Sequence, residues 1–173
     1  MSGRVRGGVA VLLAVLVCVT AWGVLRDGDP EQPQQTTART PDGALTFAMP
    51  ATWRTRACPA DEGDCLRVTS PDMTEAEAAT VAFLPPNPVE GTPVDALVNP
   101  GVTVPGSTSV TVDGLPATRL DPDEQQGQDA ILVAGRARTA VGSTFMVLCP
   151  VGGDPESSRA MCDQILRTLK VTR

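Results

Sequence analysis

The sequence predicts an α+β domain in which mainly antiparallel strands are closed by a C-terminal helix, preceded by one N-terminal transmembrane helix. The stretch 107–120 contains two alternating strands that turn at Asp113-Gly114, a dipeptide typical of tight hairpins. The stretch 154–169 places apolar residues at helical spacing on one face, which is expected to lie on the sheet. A long uncharged run precedes both and indicates a membrane segment.

Residues 1–26 are predicted to be a signal anchor. Within them, residues 7–25 carry no charge, and as a helix they would extend about 28 Å, close to the thickness of a bilayer core. Arg4 and Arg6 precede this run. Because positive charge stays inside, we expect a single-pass protein of the cell membrane with a cytoplasmic N-terminus and an extracellular C-terminal domain.

Two alternatives to an uncleaved anchor stay open. Val19-Thr20-Ala21 has the small residues of a signal-peptide cleavage site, and cleavage after Ala21 would give a secreted protein. Cys18 could carry a lipid, although Val17 before it is larger than the residue usually found there. All three interpretations export the domain.

Residues 27–40 are polar and contain prolines, which predicts a flexible stalk. Residues 41–173 have the size of one compact extracytoplasmic domain. This domain contains 17 acidic and 10 basic residues, a net charge of −7. Such a surface repels phosphate backbones, so we expect no nucleic-acid binding.

The composition indicates the kind of genome that encodes the chain. The sequence has thirteen arginines and one lysine, with abundant alanine, proline, glycine and valine. This bias is typical of a GC-rich genome, for example an actinobacterial one.

The domain is expected to open with a strand and to continue mainly with strands. A short helix is expected over Thr92–Leu97, because a Thr-Pro start is typical of helix N-termini. The segment 70–79 is ambiguous, since Thr74 and Glu77 could form a capping box. Strands are predicted within 44–53, 65–71 and 79–86, twice within 107–120, and twice within 129–150, where the pair meets near Val141-Gly142.

The C-terminal helix is the clearest element of the sequence. Asp154 is expected to cap it, Pro155 to occupy its first position and Glu156 to favour its positive end. The residues expected to face the sheet are Met161, Cys162, Ile165, Leu166 and Leu169.

Four segments resemble a PsbP-like domain: PDGALTFAMPATW (41–53), VTVDGLPATRL (110–120), FMVLCP (145–150) and ILRTLKV (165–171). Proteins with this fold include photosystem oxygen-evolving subunits, a Ran-binding nuclear import factor and, nearest to this chain, exported actinobacterial lipoproteins of the LpqN type. The resemblance covers about residues 41–173 and implies an α/β/α sandwich with an antiparallel sheet. It also implies accessory or interaction roles more often than catalysis. The matching positions are fold positions, so no functional residue is carried over.

Four cysteines lie in the exported part, Cys58, Cys65, Cys149 and Cys162. Zinc sites need closer pairs, usually with histidine, and the chain has no histidine and no Cys-x-x-Cys motif. An even number in an oxidising compartment predicts disulfides, and short loops favour the local pairing of Cys58 with Cys65 and of Cys149 with Cys162. The second bridge would pin the C-terminal helix to the sheet.

The acidic run 121–129 raises the question of a calcium site. An EF-hand loop needs glycine at position 6 and glutamate at position 12, whereas here Gly127 is at position 7 and Leu132 at position 12. A solvated loop is therefore the favoured interpretation, and an irregular cation site stays an alternative.

The sequence has neither a histidine base nor a nucleophile elbow nor a phosphate loop. A pair of carboxylates in a cleft would be the remaining hydrolase chemistry. We therefore predict no catalytic residue, no cofactor and no metal site, and a protein that is not an enzyme. The predicted function is a membrane-tethered, non-catalytic accessory or protein-interaction module, whose partner is another protein of the cell envelope or of a secretion system. The alternative is a small-molecule or lipid carrier with a cavity between sheet and helices.

Overall fold

The computed structural model describes residues 34–60, 62, 64–84, 93–98, 104–123, 128–138 and 143–172. The predicted anchor, its cleavage site and Cys18 lie outside these residues. Among the described residues, the helices are all too short or too polar to cross a membrane.

The described part of the chain contains ten strands, two α-helices and one short 3-10 helix. The first five strands are β1 (Gln35–Arg39), β2 (Leu45–Pro50), β3 (Arg54–Ala57), β4 (Cys65–Thr69) and β5 (Ala79–Leu84), with the 3-10 helix Glu75–Glu77 before β5. The remaining elements are α1 (Pro93–Val98), β6 (Ser107–Val112), β7 (Leu115–Leu120), β8 (Ala130–Arg136), β9 (Thr144–Pro150), α2 (Pro155–Thr168) and β10 (Lys170–Val171).

The strands form two sheets, and every strand pair is antiparallel. The larger sheet has the order β3-β4-β5-β9-β8-β7-β6, and the smaller has the order β1-β2-β10. The predicted antiparallel α+β class is therefore confirmed. The predicted strands all appear, and the short helix expected over Thr92–Leu97 is α1.

The β6–β7 hairpin turns where the sequence predicts it. Asp113 and Gly114 have φ angles of 50° and 73°, and Val112 pairs with Leu115 across the turn. Two successive positive φ values belong to the turn type whose twist matches that of paired strands, which explains the preference for Asp-Gly.

The larger sheet carries a helix on each face. One face packs against α2 and the smaller sheet, and α1 packs against the other face. Residues of the first layer include Phe47, Val81, Ile131, Phe145, Val147 and Ile165, all at most 1% exposed. The second layer includes Leu97, Leu132 and Ala134, with Val94, Val98 and Met146 partly buried beside them.

Helix α2 follows its predicted signals. The Asp154 side chain accepts hydrogen bonds from the backbone N–H groups of Glu156 (3.1 Å) and Ser157 (3.4 Å). The hydroxyl and backbone N–H of Ser157 lower the pKa of Asp154. Residues of the helix face and of the turn that follows are buried against the sheets: Met161, Cys162, Ile165 and Leu169.

The predicted stalk is too long, because its last residues form β1. Ala38 pairs with Phe47 of β2 and is 6% exposed, and the buried hydroxyl of Thr40 accepts a hydrogen bond from the Leu45 N–H (3.0 Å). Only one side chain of β1 is buried, so the strand has no apolar alternation for sequence analysis to detect. The compact unit begins at Gln34.

The ambiguous segment 70–79 forms only the single 3-10 turn Glu75–Glu77. The Glu77 carboxylate accepts a hydrogen bond from the backbone N–H of Thr74 (2.8 Å), and the Glu77 N–H donates one to the Thr74 carbonyl (3.1 Å). The hydrogen bonds from Thr74 lower the pKa of Glu77. The helix stops early because β5 begins at Ala79.

Asp113 also holds the last strand. Its carboxylate accepts hydrogen bonds from Lys170 Nζ (2.9 Å) and from the Val171 N–H (3.0 Å), and these two groups lower its pKa. A lowered pKa in the folded state stabilises the protein above the pKa of about 3.9 that an unfolded aspartate has, and this stabilisation is lost as the pH falls through the lower, folded value.

We therefore expect Asp113→Asn to lower the free energy of unfolding by about 1 kcal/mol at pH 7, since the pair is partly exposed. The difference from the wild type should shrink as the pH falls below about 4. Asparagine tolerates positive φ, so the turn should persist. Urea unfolding at several pH values measures the effect, with the exposed Asp72→Asn as control. An equal loss at pH 7 and pH 3 would contradict this assignment.

Candidate functional site

Both predicted disulfides are present. Cys58 is bonded to Cys65 with their Cα atoms 5.3 Å apart, and Cys149 to Cys162 with their Cα atoms 6.0 Å apart. The first bridge closes the loop of the β3–β4 hairpin, where the Cys58 N–H also donates to the Cys65 carbonyl at 3.0 Å. The second joins the end of β9 to the buried face of α2.

Cys58, Glu62 and Cys65 bring potential metal ligands within 4.8 Å of one another. The two sulfur atoms are bonded to each other, however, and a zinc ligand would have to be a free thiolate. Glu62 instead accepts two hydrogen bonds from Arg67 Nη2, at 2.9 and 2.8 Å. The cluster is therefore a closed hairpin with an ion pair at its loop.

The hairpin presents a row of arginines at one edge of the larger sheet. Strand β3 is the terminal strand of that sheet, and all four of its residues are exposed. Arg56 pairs with Arg67, and Arg54 pairs with Thr69. Paired residues and residues two apart share one face of a sheet, so the three guanidinium groups lie on the same face. We call Arg54, Arg56 and Arg67 the arginine edge.

Two of these arginines have carboxylate partners. Arg56 Nη1 lies 3.3 Å from Glu75 Oε1, and both side chains are more than half exposed. Arg67 makes the shorter contact, in which Nη2 donates to both carboxylate oxygens of Glu62. Among the described residues, Arg54 has no ion pair. Within the described part of the chain, the arginine edge therefore has one guanidinium without an ion pair and one whose ion pair is exposed to solvent.

A surface cleft of about 550 Å³ lies beside the arginine edge. Besides the arginines, its walls include Thr55, Thr69, Ser70 and Met73, and also Glu75, whose carboxylate pairs with Arg56. Hydroxyl and guanidinium groups are hydrogen-bond donors, and guanidinium is suited to carboxylate or phosphate. The cleft is therefore chemically suited to a polar, anionic binding partner.

The other described clefts also lie at the surface, one of about 270 Å³ between α1 and β6–β7 and one of about 370 Å³ between α2 and β6. Between the larger sheet and α2, the space is filled by side chains such as Phe145 and Ile165, both fully buried. No described cavity therefore favours the carrier alternative.

The acidic run 121–129 is partly described. Asp123 and Gln128 exchange two backbone hydrogen bonds of 2.9 Å, which close the loop at its base. Residues 124–127 lie outside the described residues, so the cation-site alternative stays a prediction.

The arginine edge is a feature that the sequence analysis missed. Arg54 and Arg56 alternate along the chain, but β3 has no apolar alternation that would mark it as a strand. The predicted Cys58–Cys65 bridge was the available signal for the register of the β3–β4 hairpin. If these two residues are opposite each other, Arg56 must be opposite Arg67.

The described residues thus define an α+β protein of two antiparallel sheets with a disulfide-closed, arginine-bearing edge. The chain is similar to the solution structure of cyanobacterial PsbP (CyanoP) from Synechocystis sp. PCC 6803, with 12% identity and a TM-score of 0.49. The similarity covers 83% of this chain and 96% of that chain. No protein-family model and no curated protein matches the sequence. A likeness of this size assigns neither function nor ligand.

Proposed function

We propose that this protein is a membrane-tethered, non-catalytic extracytoplasmic module that binds another protein of the cell envelope or of a secretion system. Membership of the PsbP-like family, nearest to its exported LpqN-type members, is part of the proposal and is supported by the four quoted segments. The uncharged run 7–25 supports the tether, and the two disulfides fit an oxidising compartment.

One observation carries the interaction role. Strand β3 is exposed at all four residues and is nevertheless fixed in a sheet and closed by a disulfide. It buries no side chain of its own, so the core gains little from it. An open strand edge is also a liability, because it can pair with other chains. The charges on β3 discourage indiscriminate pairing, which leaves this edge open to a partner of complementary charge.

Site-specific photo-crosslinking in intact host cells tests this proposal. The full chain would carry a photo-reactive amino acid, in separate variants, at Thr55 on β3, Thr108 on β6 or Arg159 on α2, all three exposed. We expect a discrete protein adduct in the membrane fraction from at least one position. Protease treatment of the intact cells should remove the domain, because the proposal places it outside.

The positions serve as controls for one another, since nonspecific collisions label all three alike. An adduct confined to one surface supports the interaction role. Lipid-only adducts at every position, or full protection of the domain from external protease, would overturn the proposal.

A further inference from the structure

We propose that β3 binds an extended, acidic segment of a partner protein as an added antiparallel strand. The proposal rests on the interaction role above and names the chemistry of the partner. Three features of the described residues carry it: the free backbone groups of β3, the spacing of its arginines, and the absence of such charges on the opposite edge of the sheet.

The backbone of β3 has free hydrogen-bonding groups at known positions. The Cys58 N–H donates to the Cys65 carbonyl, so this pair is a hydrogen-bonded one. In an antiparallel ladder hydrogen-bonded and non-hydrogen-bonded pairs alternate, which makes Arg56 and Arg67 the next hydrogen-bonded pair. The N–H and C=O groups of Thr55 and Ala57 must therefore point away from β4. They are the groups that an added strand would pair with.

The side chains of Arg54 and Arg56 specify what the added strand should carry. Residues opposite them would form non-hydrogen-bonded pairs with the strand, in which the Cα atoms come within about 4.5 Å. Opposite charges at such positions attract, and like charges repel. An incoming segment with carboxylates at two alternate positions would place both on the face of the arginines.

The arginine edge lacks full internal compensation. Arg56 and Arg67 are directly opposite each other, an arrangement of like charges that weakens a sheet. The Arg56–Glu75 contact is long and solvated, and Arg54 has no described ion pair. The domain as a whole is acidic, but the repulsion at the arginine edge is between positive charges. An acidic segment would relieve this local repulsion.

The opposite edge of the sheet does not share this chemistry. Strand β6 is also terminal, but its residues Ser107–Val112 carry no charge. It could pair with a strand but could not select an acidic one. Charge complementarity therefore assigns the acidic segment to β3.

The test uses the full chain in nanodiscs of zwitterionic phospholipid and two fluorescent heptapeptides of identical composition. In TVETEVT both glutamates face the same side of a strand, whereas in TVTEEVT they face opposite sides. By fluorescence anisotropy we expect TVETEVT to bind about tenfold more tightly than TVTEEVT, because only TVETEVT can form both cross-strand ion pairs. Hydrogen exchange should slow at the amides of Thr55 and Ala57.

Three variants separate charge from backbone pairing. R54E/R56E should weaken TVETEVT binding about tenfold or more, whereas R159E/R167E on α2, with the same change in net charge, should not alter it. Thr55→Pro removes an outward N–H without touching the β3–β4 ladder, and should abolish the binding. Circular dichroism and thermal melting establish that each variant is folded.

Equal binding of the two peptides, or binding unaffected by Thr55→Pro in a folded protein, would overturn the strand-addition proposal. So would arginine-dependent binding to phosphatidylglycerol vesicles without peptide binding, which would indicate a lipid surface. A partner crosslinked in cells only through Thr108 or Arg159 would also overturn it, while the proposed interaction role would stand.

Discussion

Replacement of both Cys149 and Cys162 by alanine is expected to lower the free energy of unfolding by about 3 kcal/mol. The bridge closes a loop with a sequence separation of 13 residues, and losing it gives the unfolded chain more conformations. Both cysteines are at most 2% exposed, so packing is lost as well. The bridge also fixes α2 to the end of β9, which means that the helix should loosen first.

Urea unfolding without reductant measures this loss, and hydrogen exchange shows where the protein loosens. The matched control is C58A/C65A, which opens a loop with a sequence separation of 7 residues and should cost about 2.5 kcal/mol by the same entropy argument. Its exchange should increase in β3 and β4, while α2 should stay protected. Unchanged protection of α2 in the Cys149/Cys162 variant would contradict the pinning role of that bridge.

Gly135→Ala is expected to destabilise the protein by about 3 kcal/mol, at the upper end for an overpacked core. Gly135 on β8 pairs with Phe145 on β9, and the phenyl ring lies over the glycine. An added Cβ would come within 2.5 Å of Phe145 Cζ and 2.8 Å of the Pro116 carbonyl oxygen. Neither can move easily, because Phe145 is fully buried and the carbonyl is backbone.

Thermal and urea unfolding measure this effect. Gly153→Ala is the matched control: its Cβ would meet only one carboxylate oxygen of the Glu77 side chain, at 2.9 Å, and no buried ring or backbone atom, so the loss should stay below about 1 kcal/mol. Phe145→Leu in the Gly135→Ala background should recover part of the lost stability, since the Pro116 contact remains. Equal losses for the two glycine variants would rule out the ring contact as the cause.

Elements with strong local signals could be predicted from the sequence. The β6–β7 turn depends on two adjacent residues that tolerate positive φ, and α2 on a cap, a proline and an apolar face. The disulfides followed from spacing, from the missing histidine and from the expected compartment. In each case the residues whose interactions decide the structure lie close together in the sequence.

Elements without a local apolar pattern could not be predicted. Strand β1 buries only Ala38, and β3 buries none of its residues, so neither shows the alternation that identifies a strand. Strand β10 is two residues long and exists through its pairing with β2. The arginine edge was missed with β3, because its geometry appears only once the hairpin register is known.

The smaller sheet has a consequence for the order in which the molecule can form. Its central strand β2 pairs with β1 nearby, but also with β10, where Thr46 meets Lys170. A ribosome makes β2 long before β10, so this sheet stays incomplete until nearly the whole domain has been synthesised. Contacts between such distant residues also slow folding. The smaller sheet is thus kept from closing early, which suits the export through a membrane that we propose for this chain.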